Sequence, residues 1–220
     1  MLRLRCLAYP LPVLLAGCQT PARQAPERPR AAVTLEESEP WRSVASPETE
    51  ASVDEIQARW RQALQAARTR AYVRRVAAEG ALLQPAAGLP RAAPAPGPYR
   101  CRVVRIGGGI GGGTPYTASK PGFCFVGVVE DQLSLTAEPP AHRLGGYLWE
   151  EKDSRRLVFL GSEMAPGAKR AGVYGESPAR DAAGLFERIG DFRYRLTIPT
   201  RGAAGLLVFD LTAYPNPSAR

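Results

Sequence analysis

The sequence predicts a mostly β domain with one helix ahead of it, and three observations carry that reading. From Tyr99 onward, apolar and polar residues alternate with a period of two. Turn residues divide these runs at short intervals, and before Tyr99 the apolar spacing is helical instead. The fold class that follows is an antiparallel up-and-down meander of about eight strands, closed as a small calycin-like barrel, with a β-sandwich as the alternative.

The strands can be taken in order. Tyr99, Cys101 and Val103 alternate with Arg100 and Arg102, and Leu133 and Leu135 with Ser134 and Thr136. Phe192, Tyr194, Leu196 and Ile198 alternate with Arg193, Arg195 and Thr197. Such alternation is what a strand with one face on a core requires. Further strands are expected at 123–130, 144–149, 157–161, 184–189 and 205–213. Glu130-Asp131, Pro139-Pro140, Lys152-Asp153-Ser154 and Gly190-Asp191 supply turns between them. The long interruption from Glu163 to Asp181 contains Pro166, Pro178 and several glycines and reads as a loop, a candidate binding edge on a small β body.

Ahead of the strands, Ser52 and Glu55 have capping-box spacing, and Ile56, Trp60, Ala63, Leu64, Ala67 and Ala71 recur at helical intervals. The spacing predicts one amphipathic helix over 52–80, ended by Gly80 and carrying Arg59, Arg61, Arg68 and Arg75 on its other face. Its alanine-rich stripe suits packing on the chain's own core; a membrane surface is the alternative. A connector over 81–98, dense in Pro, Ala and Gly, leads to the β domain at 99–214.

The N-terminus has a different logic. Arg3 and Arg5 precede an apolar run, Leu7 to Leu15, too short to span a bilayer. Leu15-Ala16-Gly17-Cys18 follows, and this resembles the lipobox of bacterial lipoproteins. The resemblance implies that 1–17 is a signal peptide and that Cys18 becomes the acylated first residue, binding the membrane through its palmitate-like chains. Gln19 stands where lipoproteins kept in the inner membrane often carry Asp, which points to the outer membrane, facing the periplasm. A simple cleaved signal is the alternative. From 18 to 51 the chain is rich in Pro, Ala, Glu, Arg and Ser and reads as a disordered tether; Trp41 in it either docks or sits in solvent.

The chain has 220 residues, a formal charge of +8 and four cysteines. The basic character is nearly all arginine, and no dense Lys/Arg block with interleaved aromatics marks a nucleic-acid site. With Cys6 in the leader and Cys18 acylated, Cys101 and Cys124 remain, and in an oxidising envelope they are expected to form a disulfide; two buried thiols are the alternative. The single histidine, His142, and the absence of CxxC spacing argue against a zinc site, and no cofactor is expected.

Several segments together resemble a known bacterial family. They are the lipobox, Ala78-Glu79-Gly80, Tyr99-Arg100-Cys101-Arg102, Leu157-Val158-Phe159-Leu160-Gly161, Glu187-Arg188-Ile189-Gly190 and Tyr194-Arg195-Leu196. On these residues the chain resembles the domain of unknown function numbered 4893, a family of envelope lipoproteins, over roughly 50 to 213. The resemblance carries no activity. By architecture alone, a lipid-anchored barrel is also similar to calycin-like inhibitors and ligand carriers, which is analogy.

Chemical signatures are sparse. Gly107 to Gly112 satisfies GxGxxG, but Thr114-Pro115-Tyr116 follows where a dinucleotide-binding turn needs a helix, so the run reads as a hairpin tip. No GxSxG serine accompanies His142. The unusual feature is charge inside apolar strands. Glu187 shares a face with Leu185 and Ile189, Arg188 one with Phe186, and Asp210 is in phase with Leu206 and Val208. Buried charges need partners, so Arg188 or a neighbouring arginine is expected to pair with Glu187 or Asp210, as a ligand-reading cluster or a register lock. An edge strand or bulge that lets both reach water is the alternative.

The function expected from these features is a noncatalytic envelope lipoprotein that binds a protein partner or a small apolar ligand. A membrane-tethered spacer in an assembly is the first alternative, and a hydrolase, which needs Glu187, Asp210 or His142 to converge in one cleft, is the second.

Overall fold

The computed structural model describes residues 39–108, 113–140, 142–201 and 204–214. The lipobox and Cys18 lie outside the described residues. So does most of the expected tether.

Nine strands form one antiparallel sheet: β1 Gly97–Gly107, β2 Tyr116–Ala118, β3 Gly122–Val129, β4 Gln132–Glu138, β5 Leu144–Glu150, β6 Arg156–Glu163, β7 Asp181–Gly190, β8 Arg193–Pro199 and β9 Gly205–Ala213. Every strand from β3 to β8 pairs with the next in sequence, β1 pairs with β3, and β9 returns to pair with β1 from Tyr99↔Ala213 to Gly107↔Gly205. The result is a closed eight-stranded barrel, with β2 attached to β1 as an extra hairpin strand. Closure follows from strands that leave no hydrogen-bonding edge, and it settles barrel against sandwich.

Period-two alternation sorts side chains to the two faces. Inside lie Tyr99, Phe159, Phe186, Tyr194, Leu135 and Leu144 with the Cys101–Cys124 disulfide, all buried. Eight strands enclose a space just wide enough for side chains, and here they fill it. The disulfide joins β1 to β3, two residues from where Tyr99 pairs with Cys124. The lower end is closed by the connector: Leu89 donates its N–H to Arg188, Ala92 donates to Ser154 and is buried in the core, and the Tyr99 hydroxyl donates to the Ala95 carbonyl. Burial pushes the Tyr99 phenol up to about 12.

The outer face of β1, β6, β7 and β9 is also apolar, and the N-terminal segment covers it. Here the structure differs from the single helix expected over 52–80. The segment is α1 Pro47–Asp54, α2 Ile56–Ala67 and α3 Val73–Ala78, followed by 3-10 turns at Gly80–Leu83 and Pro85–Ala87. A straight helix of that span would run roughly 43 Å and leave a curved wall at a tangent; the breaks at Glu55 and at 68–72 let the chain wrap as a belt. Ser46, not Ser52, caps the first helix by accepting from the Thr49 N–H at 3.2 Å, with Pro47 at its first position and Glu48 and Glu50 in its first turn. On α2, Ile56, Trp60, Ala63, Leu64 and Ala67 face the barrel. Gly107 permits the close approach: a Cβ there would lie 3.1 Å from the Ala63 Cα, and its φ is +91°.

The expected tether boundary at 51 is also displaced. Residues 40–43 form a 3-10 turn, and Trp41 is fully buried against the barrel rather than solvated. Its indole N–H donates to Glu39, whose other carboxylate oxygen accepts from the Lys152 N–H at 3.1 Å. Burial opposes charge on Glu39, but these donors and Arg42 outweigh it and hold its carboxyl below the usual range. The composition of 18–51 concealed this anchor because Trp41 is the one large aromatic in a stretch of Pro, Ala, Glu, Arg and Ser.

Trp41→Ala should lower the unfolding free energy by about 3–5 kcal/mol in a urea titration, the cost of a core aromatic. A change below about 0.5 kcal/mol would mean a solvated tryptophan instead.

Candidate functional site

Two clusters command attention, one buried and one open. The buried one contains the sequence-predicted charges. Register aligns Glu187 on β7 with Arg195 on β8, Arg195 with Asp210 on β9, and Asp210 with Arg102 on β1. This places alternating charges in one row across four neighbouring strands, on the outer face and beneath the helical belt. Arg195 has no exposed side-chain surface; its Nε donates to Glu187 Oε2 at 2.7 Å. Its other nitrogens donate to the Gln84 and Pro85 carbonyls at 2.6 and 2.7 Å, and its guanidinium lies 5.1 Å from the centre of the Trp60 ring. Asp210 accepts from Arg193 at 2.8 and 3.0 Å and from Arg102 at 3.0 Å. Arg102 continues to Glu79 at 3.0 and 2.5 Å, and Glu79 accepts from the Tyr116 hydroxyl at 2.6 Å. Burial and this bond to Glu79 push the Tyr116 phenol up to about 12. Every carboxylate in the row is held by arginine, so the row can fix register and hold the belt, and it presents no unpaired group to a ligand.

Arg188 is not part of it. It faces the barrel interior with Phe186, and its Nε and Nη2 donate to the Pro90 carbonyl at 3.0 and 2.8 Å. The edge-strand alternative does not apply, since the closed barrel has no edge there and Glu187 and Asp210 are only 6 % and 7 % exposed. A bulge does interrupt β7–β8 pairing between Arg188 and Gly190, beyond Glu187.

His142 sits at the other end of the barrel, its backbone N–H donating to Pro139 and its Nε2 3.4 Å from Arg105 Nη2. Burial and then the Arg105 charge push its pKa below the ordinary 6.5, with Glu163 opposing. It borders a small pocket with Val103, Arg105 and Ser119 on the upper rim. The structure therefore does not bring His142 to Glu187 or Asp210. The glycine run leads from β1 into antiparallel β2, not a helix; residues 109–112 lie outside the described residues.

The open cluster is a groove of about 520 Å³ on the outer wall of β4, β5 and β6. Its floor is Ser134, Thr136, Gly145, Tyr147, Trp149 and Leu160. Its roof is the loop between β6 and β7, through Met164, Ala171, Val173 and Tyr174, and Val44 of the belt closes one side. The roof is attached: the Tyr174 hydroxyl accepts from the Ser46 N–H at 3.0 Å and donates to Thr49 Oγ1 at 2.8 Å, and the Met164 N–H donates to the Arg143 carbonyl at 2.8 Å. Lys169 and Arg170 also line it. Sequence reasoning marked this loop but not the floor, because Ser134, Thr136 and Tyr147 look like ordinary solvent-facing residues of alternating strands. Beyond it the open flank continues to Phe123 and Phe125, 48 % and 45 % exposed on β3.

The fold and groove define the class: a small closed antiparallel barrel belted by an N-terminal helical segment, with its open groove on the outer wall rather than in the lumen. Residues 41–211 match the family described as "Domain of unknown function (DUF4893)", and the chain belongs to that family. No curated protein and no solved structure matches it.

Two outcomes follow. Glu187→Gln strands Arg195 without its counter-charge and should cost about 3–5 kcal/mol in urea unfolding, against a small fraction of that for a surface carboxylate. For His142, the folded state disfavours the proton, so the unfolded chain binds it first and stability is lost as pH falls below 6.5. His142→Gln should flatten that part of the stability–pH curve, measured by thermal unfolding; an unchanged slope would count against the depressed pKa.

Proposed function

We propose that this chain is a noncatalytic, lipid-anchored binding module of the cell envelope, which holds a small apolar ligand in the groove beneath the β6–β7 loop. One observation carries the reading. The groove offers about 520 Å³ walled largely by apolar side chains, within the range of small-molecule sites, while the barrel lumen is occupied by its own aromatic residues. Binding through the outer wall departs from the lumen site that barrel analogy suggests. Against catalysis, the charged groups that a hydrolase would need are separated: Glu187 and Asp210 are clamped by arginines under the belt and His142 lies at the upper rim. The anchoring rests on the lipobox at Leu15 to Cys18 and on the disulfide, which suits an oxidising compartment.

Thr136→Trp, an exposed floor position, should fill the groove and reduce binding of the uncharged apolar fluorophore N-phenyl-1-naphthylamine at least about tenfold, with an unchanged urea midpoint. Equal binding by both forms would remove the groove as the site. Fractionation of cells should find the native chain with membranes and the Cys18→Ala form released from them; a Cys18→Ala chain that stays membrane-bound would contradict lipid anchoring.

A further inference from the structure

We infer that the groove takes an anionic amphiphile: a single acyl chain ending in a carboxylate or phosphate head. The inference rests on the groove being the binding site and adds the chemistry of what binds. The groove's lining contains two cations, Lys169 and Arg170, and no carboxylate. Neither cation forms an ion pair with a carboxylate among the described residues, unlike Arg42, Arg102, Arg193 and Arg195. Two acids are nearest in sequence, each six residues from one cation: Glu176 is turned to the loop itself, accepting from the Val173 N–H at 3.0 Å, and Glu163 lines a separate pocket with Pro178 and Arg201. Both cations are exposed and sit on the roof, whereas Trp149, Leu160 and Met164 form an apolar wall.

Charge complementarity thus selects a negative head at the roof, and the wall selects a hydrocarbon tail. A neutral head would gain nothing from the two exposed cations, whereas an anionic one is attracted to both. A head alone would leave the apolar wall unfilled, and each methylene buried there tightens binding further. The attraction at an exposed rim is screened by salt, so the preference for a charged head should shrink as ionic strength rises.

The test uses the full chain carrying Cys18→Ser in detergent-free buffer, titrated with sodium decanoate, decanol, sodium acetate and inorganic phosphate. Affinity is read by calorimetry and location by the amide resonances of Gly145 and Gly146. Decanoate should bind one per chain, at least about tenfold tighter than decanol, and shift both glycines. Lys169→Gln/Arg170→Gln should bring decanoate down to the affinity of decanol. Equal affinity for decanoate and decanol, with the glycines shifted, would overturn the anionic head and leave the apolar site standing. Acetate or phosphate binding as tightly as decanoate would overturn the amphiphile. No glycine shift with any probe would overturn the groove itself.

Discussion

Everything outside the barrel lumen depends on the burial of Arg195. A guanidinium with no solvent contact is tolerable only where its donors are satisfied and its charge is balanced. Here Glu187 supplies the charge, and the carbonyls of Leu82, Gln84 and Pro85 accept from the other guanidinium nitrogens. Those carbonyls belong to the belt, while Glu187 and Arg195 belong to the wall. One side chain therefore binds an N-terminal segment to strands more than a hundred residues later in the chain. The neighbouring chain of Glu79, Arg102, Asp210 and Arg193 repeats the arrangement, with Glu79 from the belt and the other three from the wall.

That arrangement decides where a site can be. The belt covers the apolar outer face of β6, β7, β9 and β1 and stops at Val44. Past its edge the wall of β4 and β5 carries Ser134, Thr136, Gly145 and Tyr147 beside the large apolar Trp149, and the β6–β7 loop arches over it. Tyr174 joins this loop to Ser46 and Thr49 of the belt, so the groove's roof is positioned by the same segment that the charge row holds down. The lumen is meanwhile filled by Tyr99, Phe159, Phe186 and Tyr194, which leaves the exterior as the surface available for a ligand.

Much of the barrel was legible because period-two patterning and turn residues act locally. The disulfide was legible from cysteine arithmetic, and the odd charges at Glu187 and Asp210 announced themselves by interrupting apolar strands. What the sequence did not reveal depends on long-range placement. The partners of those charges are Arg195, Arg102 and Arg193, which on their own strands read as ordinary polar alternation, and register across four strands is what aligns them. Arg188, adjacent to Glu187, lies on the other face, as the two-residue period requires. The helix over 52–80 was expected unbroken because its apolar spacing is continuous; the curvature of the wall breaks it. Trp41 was hidden for the opposite reason, as one large side chain in a segment whose composition suggests no core. The groove floor was invisible because its residues form a site only when the loop arches over them.

Native-state hydrogen exchange on the intact chain tests the account most directly. If Arg195 unites belt and wall, the amides of Ala63 and Leu64 on α2 should exchange with the same opening free energy as those of Thr197 and Val208 in the barrel, as one cooperative unit. In Arg195→Leu, the helix amides alone should fall to a lower opening energy. Helix amides that already exchange independently of the barrel in the unmodified chain would contradict it.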